Sequence, residues 1–110
     1  MEKIILEGMA ASAGEAIGKV RIVNSSADSS KFKDGEVLVT HLTNPTMIMM
    51  MAKASAIVTE IGGLTSHPAI VSREMGTPCV VSAKNALTIL KDGMTVKVNG
   101  TTGKVYLIEE

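Results

Sequence analysis

Residues 56–81 read AIVTEIGGLTSHPAIVSREMGTPCVV, and the fold turns on this stretch. Ala56-Ile57-Val58-Thr59 is a short apolar run ended by Gly62-Gly63, the pattern of a buried strand. Pro68 suits the first turn of a helix, and Gly76 suits the left-handed position that ends one. Thr77 to Val81 is a second short buried strand. The segment therefore reads as strand, glycine turn, helix, strand.

Upstream, Asn44-Pro45-Thr46 is a helix start signal, and the helix it opens runs from Thr46 to about Ala54. Glu36 to Thr40, after Gly35, is a compact apolar strand. Asn24 to Lys33 is rich in serine and reads as a surface loop. Lys19 to Val23 alternates as a strand with one buried face, Ala10 to Gly18 reads as a small-residue loop, and Ile4 to Gly8 as an opening strand. Downstream, Ala83 to Leu90 forms a short helix closed by Asp92-Gly93. Met94, Val96 and Val98 then face one way, Thr95 and Lys97 the other. Asn99-Gly100 is a turn, and Val105 to Ile108 completes a β-hairpin. The middle alternates β-α-β-α-β between β ends, which makes a single mixed α/β domain over residues 1–110.

Composition narrows the function. With 110 residues and 45% of them hydrophobic, the chain has material for one core. Eleven Lys and Arg balance eleven Asp and Glu, without charge blocks, so the basic surface needed to bind nucleic acid or an anionic membrane is missing. Phe32 and Tyr106 are the sole aromatic residues, too few for a base-stacking platform. Cys79 stands alone, which excludes an internal disulfide and a cysteine-rich zinc site. Met1-Glu2-Lys3 opens no basic-then-apolar targeting pattern, and no apolar run approaches the ~20 residues that span a bilayer. These features lead us to expect a cytoplasmic domain.

Chemically useful residues concentrate between Gly62 and Glu74. If Pro68 is the first helical residue, His67 sits at the cap, beside unsatisfied N–H donors that carry about half a positive charge. Such a place attracts phosphate. Gly62 and Gly63 allow close backbone approach, and Thr65 and Ser66 carry hydroxyl donors. Arg73, one turn above Ala69, leans back toward the same point. An imidazole with one free ring nitrogen can attack phosphorus there, and the surrounding donors would stabilise charge on the transferring group. The same residues also make an ordinary capped helix start, with Thr65 and Ser66 bonding locally. Metal ligation is not indicated: His41, His67 and the carboxylates lack a recognisable spacing.

Residues 59–81 resemble the signature of the swivelling phosphohistidine (mobile) domain of the phosphoenolpyruvate-utilising enzymes. These are phosphoenolpyruvate synthase, pyruvate phosphate dikinase and enzyme I of the sugar phosphotransferase system. The family pattern is roughly GG-x-T-[SC]-H-x-A-[IV]-[IV]-x-R-x-x-G-x-P-x-V. The likeness extends through Leu6 to Val23, Asp34 to Ala56 and Lys91 to Leu107. It implies a three-layer β/β/α fold and makes His67 the residue phosphorylated, on the ring nitrogen far from the backbone. Gly62, Gly63, Thr65, Ser66 and Arg73 take phosphate-binding places. It also implies an ATP-grasp nucleotide-binding domain and a barrel that binds phosphoenolpyruvate or pyruvate, in cis or in trans, with magnesium and ATP or phosphoenolpyruvate on those partners and no cofactor in this domain. The implied role is phosphoryl carriage, with no turnover by the domain alone. A non-catalytic interaction module that keeps the fold, and a small-anion sensor, are the alternatives.

The sequence departs from the family in three places. Pro68 removes an N–H beside the histidine, Ser82 stands where glycine is usual, and Thr46 to Ala52 is unusually apolar. On the helix at 46–54, Met47, Met50 and Met51 are assigned to the core. Ile48, Met49 and Ala52 then form an apolar face for a partner or a homodimer.

Overall fold

Two parallel strands, β4 (Val37–Thr40) and β5 (Ala56–Thr59), organise the protein, described here over residues 2–108 from a computed structural model. They pair from Val37 opposite Ala56 to Thr40 opposite Thr59, and every residue of both is buried. Side chains alternate across a strand. Val37, Val39, Ala56 and Val58 therefore enter one hydrophobic cluster, and Leu38 and Ile57 enter another. A strand apolar on both faces needs a layer on each side.

One side is helical. Helix α1 (Ile48–Lys53) and helix α2 (His67–Met75) cover Leu38, Ile57 and β6 (Cys79–Val81) with Met47, Met50, Met51 and Ala69. The other side is an antiparallel half-sheet of β1 (Glu2–Glu7), β7 (Thr95–Asn99) and β8 (Lys104–Ile108), which contributes Leu6, Val96, Val98 and Val105. Short helix α3 (Ala86–Ile89) adds Ala86 to that cluster. Strand β3 (Glu15–Ile22) joins the halves. Glu15 to Lys19 pair antiparallel with β7, whereas Val20 to Ile22 pair parallel with β4. With β2 (Met9–Ser12), the single eight-stranded sheet runs β1-β8-β7-β3-β4-β5-β6-β2. Half-sheet, half-sheet and helices make the expected β/β/α layering.

One expectation fails. Residues 10–18 are not a loop: β2 occupies Met9–Ser12 and β3 already begins at Glu15. The segment is small because it is crowded, so hydrophobic periodicity could not show. A Cβ on Gly8 would meet the Val81 carbonyl at 2.5 Å, and one on Gly100 would overlap the Ser12 carbonyl oxygen. Backbone bonds Gly8 N to Gly103 O and Gly100 N to Gly14 O, each 2.8 Å, sew the segment to the β7–β8 turn.

Smaller adjustments follow from caps. The serine-rich loop holds a 3-10 turn, Ser26–Lys31, whose N-cap Ser25 accepts from Ala27 N. Asn44 caps a 3-10 turn at Pro45–Met47 that leads into α1. Met47, Met50 and Met51 are core as expected, while Met49 is 73% exposed and Ile48 half-buried. Ser82 adopts φ 55°, so serine here holds the left-handed turn usual for glycine.

Two outcomes follow. Gly100→Ala forces a Cβ into backbone that is sewn on both sides, and should cost about 3 kcal/mol or more in a urea titration. Glu36 accepts from Arg21 Nη2 at 2.9 Å and from Lys33 N at 2.8 Å. The Arg21 hydrogen bond, foremost, holds its carboxyl below the ordinary carboxylate range. A folded pKa below the unfolded one stabilises at neutral pH, and that contribution is lost as pH falls through the acid range. The denaturation midpoint should drop from pH 7 to pH 3, and Glu36→Gln should shrink the drop.

Candidate functional site

The loops after β4 and β5 leave the sheet side by side. Parallel pairing continues past the strands, with Glu60 N bonding Thr40 O at 3.1 Å and Ile61 N bonding His41 O at 3.2 Å. That register brings Thr43, buried to 2% exposure, against His67 from a loop 24 residues away in sequence. The Thr43 hydroxyl lies 2.8 Å from His67 Nδ1. Nδ1 is thus engaged, and Nε2 is the ring nitrogen without a partner among the described residues.

The Gly62 to Ser66 turn delivers the ring to this position. Gly62 has φ 115°, and a Cβ there would stand 2.9 Å from Ser66 Oγ. Gly63 faces open space, and its carbonyl accepts both Ser66 N (3.1 Å) and Ser66 Oγ (2.6 Å). Ser66 is the N-cap, with extended backbone, but its hydroxyl is spent on Gly63 rather than on the helix.

His67, expected at the cap, is instead the first residue of α2, with Pro68 second. The shift by one residue is physical. First-turn N–H groups lack acceptors, so proline fits either position, and the helix ladder opens with Ile70 N bonding Ser66 O at 3.0 Å. The backbone N–H groups of His67 and Ala69 stand at this positive end. Gly76, at φ 70°, closes the helix as expected, with Thr77 N bonding Ser72 O at 2.9 Å.

The other candidate residues divide. Thr65 is exposed, two residues before His67. Arg73 donates from Nη1 to Ala11 O at 3.3 Å and from Nη2 to Leu64 O, tying the glycine loop to β2. Among the described residues its remaining guanidinium donors have no hydrogen-bond partner. His41 is exposed, and its Nδ1 lies 3.0 Å from Glu60 Oε1; the second Glu60 oxygen accepts Leu87 N at 2.9 Å. The His41 contact, then the Leu87 N–H, hold the Glu60 carboxyl below its ordinary range. Cys79 Sγ lies beneath α2, 3.9 Å from Pro68 O, and burial pushes its thiol up to about 11. Among the described residues, no three His, Cys, Asp or Glu side chains converge as a metal site would need.

Thr43 escaped sequence reading. Thr-Asn-Pro is an ordinary helix entry, and nothing local ties its threonine to a histidine one strand away. Only the parallel register of β4 and β5 makes the pair.

Comparison with known proteins places the chain in a family. The family model described as "PEP-utilising enzyme, mobile domain" matches residues 32–103. The probable phosphoenolpyruvate synthase of Archaeoglobus fulgidus is 52% identical over 104 residues, covering 94% of this chain and 14% of that protein. The phosphoenolpyruvate synthase of Pyrococcus furiosus is 51% identical over 104 residues, covering 94% and 13%. The chain therefore spans about a seventh of the length of these curated relatives. Among solved structures, Enzyme I aligns with TM-score 0.62 and 28% identity over 74% of this chain and 34% of that one. Thermococcus kodakaraensis aconitase X aligns with TM-score 0.70 over 99% of both chains at 18% identity, a likeness of fold alone. With a family model matched over most of its length and the layered fold to match, the chain belongs to the mobile-domain family of the phosphoenolpyruvate-utilising enzymes.

Proposed function

We propose that the protein is a phosphoryl carrier whose acceptor is His67 Nε2. One observation carries this reading: the Thr43 hydroxyl engages Nδ1 at 2.8 Å, at the open N-terminus of α2 and inside the family motif. For Nε2 to be the nucleophile, the ring must carry its proton on Nδ1, and that N–H then donates to Thr43 Oγ1. The Nε2 lone pair attacks phosphorus and an N–P bond forms. The P–O bond to the donor breaks, and the departing oxygen keeps the electron pair. Helix N–H groups, the Thr65 hydroxyl and the free Arg73 donors meet the charge on the phosphoryl oxygens, with Gly62 and Gly63 leaving the approach open. Ser66 shapes the turn and joins that set if its bond to Gly63 opens.

The donor and the final acceptor sit on other domains, in cis or in trans. These are a nucleotide-binding domain of ATP-grasp type and a barrel for phosphoenolpyruvate or pyruvate, and magnesium belongs with them. The length of the relatives beyond the matched region supports such partners. We place the protein in the cytoplasm; no helix among the described residues is long and apolar enough to cross a membrane. A homodimer through residues 46–54 would rest on Met49 and Ala52.

The test is mass spectrometry of the chain after incubation with donor domains and ATP or phosphoenolpyruvate. An acid-labile gain of one phosphoryl group is expected, absent in His67→Ala. No gain with any donor favours an interaction module, and reversible anion binding without a mass change favours a sensor. Thr43→Val should leave the fold intact and slow phosphorylation about tenfold, because an unpaired ring nitrogen costs about 1–3 kcal/mol and the productive tautomer loses its anchor. Nitrogen-15 imidazole spectra should show the His67 tautomer mixture shift in the same variant.

A further inference from the structure

Parallel strands β4, β5 and β6 release their following chain at one edge, and a single carboxylate joins all three exits. Glu60 lies on the chain leaving β5. Its Oε1 stands 3.0 Å from Nδ1 of His41, just past β4, and its Oε2 accepts Leu87 N of α3, after β6, at 2.9 Å. An ionised carboxylate only accepts, so the His41 ring carries a proton on Nδ1. The main chain sets Glu60 up for this. Glu60 N bonds Thr40 O at 3.1 Å, Ile61 N bonds His41 O at 3.2 Å, and the buried Thr59 hydroxyl donates to Ile61 O at 2.7 Å.

Each exit carries something the site uses or something under strain. His41 stands two residues before Thr43, whose hydroxyl meets His67 Nδ1, and Glu60 stands two residues before Gly62, where the glycine turn begins. The Thr43–His67 contact therefore joins two of the clamped exits, and its length depends on how far apart they are held. The third exit is strained. Ser82 and Asn85 adopt left-handed φ of 55° and 69°, and neither is glycine. Such backbone persists only where its surroundings dictate it. Here Ala83 N bonds Thr59 O at 2.9 Å, and Leu87 N bonds Glu60. Hydrogen bonds to an ionised acceptor are the strong kind, and the Glu60 side chain is only 18% exposed.

We propose that Glu60 is a positioning residue, whose carboxylate clamps the exits of β4, β5 and β6 so that the Thr43 hydroxyl stays on His67 Nδ1 and Nε2 is left as the nucleophile. Among the described residues Glu60 makes no side-chain hydrogen bond to Thr43 or His67, so it acts through the chain between them. In its bearing on phosphoryl transfer the proposal rests on the carrier reading of His67. In its bearing on the ring's hydrogen bond it stands alone.

The test reads the ring directly. Nitrogen-15 imidazole spectra are recorded at about pH 8, where histidine is neutral, for wild type, Glu60→Ala, Glu60→Gln, His41→Leu and Thr43→Val. Circular dichroism checks folding, and the same spectra follow phosphorylation of His67 by the small donor phosphoramidate. Glu60→Ala should shift the His67 tautomer mixture in the direction of Thr43→Val and slow phosphorylation at least about fivefold. Glu60→Gln should restore both, because its amide oxygen accepts Leu87 N while its NH2 donates to His41 Nδ1, moving the His41 proton to Nε2. His41→Leu, which cuts one arm, should shift His67 the same way by less. Glu60→Ala combined with Thr43→Val should be no slower than Thr43→Val alone, since both act on one contact. An unchanged His67 ring in Glu60→Ala, a Glu60→Gln as impaired as Glu60→Ala, or rate losses that multiply in the double variant overturn the clamp. Should Glu60→Ala fail to fold, an unchanged His67 ring in His41→Leu overturns it. Wild type left unphosphorylated at His67 by phosphoramidate and by every donor domain overturns the carrier reading, while the tautomer comparison still decides the clamp.

Discussion

Strands β4 and β5 are buried on both faces, and the rest of the structure answers to that. Val37, Val39, Ala56 and Val58 must be covered on one side, and Leu38 and Ile57 on the other. Neither a hairpin nor a helix pair alone can supply both covers. The chain supplies an antiparallel half-sheet for one and two helices for the other, and β3 passes from the first arrangement to the second within eight residues. Parallel strands also release their following loops at the same edge. The functional edge is thus a by-product of how the core is covered.

At that edge the chain concentrates side chains that cannot find each other by sequence proximity. Thr43 meets His67, His41 meets Glu60, and Leu42 Cδ1 lies 3.4 Å from where a Gly62 Cβ would stand, all between the chain leaving β4 and the chain from β5 into α2. The buried threonine gives the imidazole one defined bond. The glycine turn and the Arg73 bonds to Leu64 and Ala11 then hold the surrounding backbone. On the proposed carrier reading, a ring held this way would be positioned before any phosphate arrives, and preorganised dipoles are most of what phosphoryl transfer asks of a protein.

Where patterns were local, the sequence was readable. Ala56-Ile57-Val58-Thr59, the Gly76 stop and the Asn99-Gly100 turn announce themselves through periodicity and backbone preference, and the structure has them in place. The motif from Gly62 to Arg73 named the family for the same reason. Residues 10–18 were misread because their small side chains answer to neighbours distant in sequence: the Val81 carbonyl at Gly8 and the β7–β8 turn at Gly100. The Thr43 brace lay hidden because it is a fact of register between strands. The left-handed Ser82 shows the reverse case, a backbone conformation imposed by the fold on a residue that does not favour it.

Cys79 has a consequence outside function. Its sulfur sits under the first turn of α2, and burial lifts the thiol to about 11, so at neutral pH the folded chain offers alkylating reagents almost no thiolate. Labelling of this one sulfur then becomes a clock. It records how often α2 lifts from β6, in a protein that carries no tryptophan to report the same event by fluorescence.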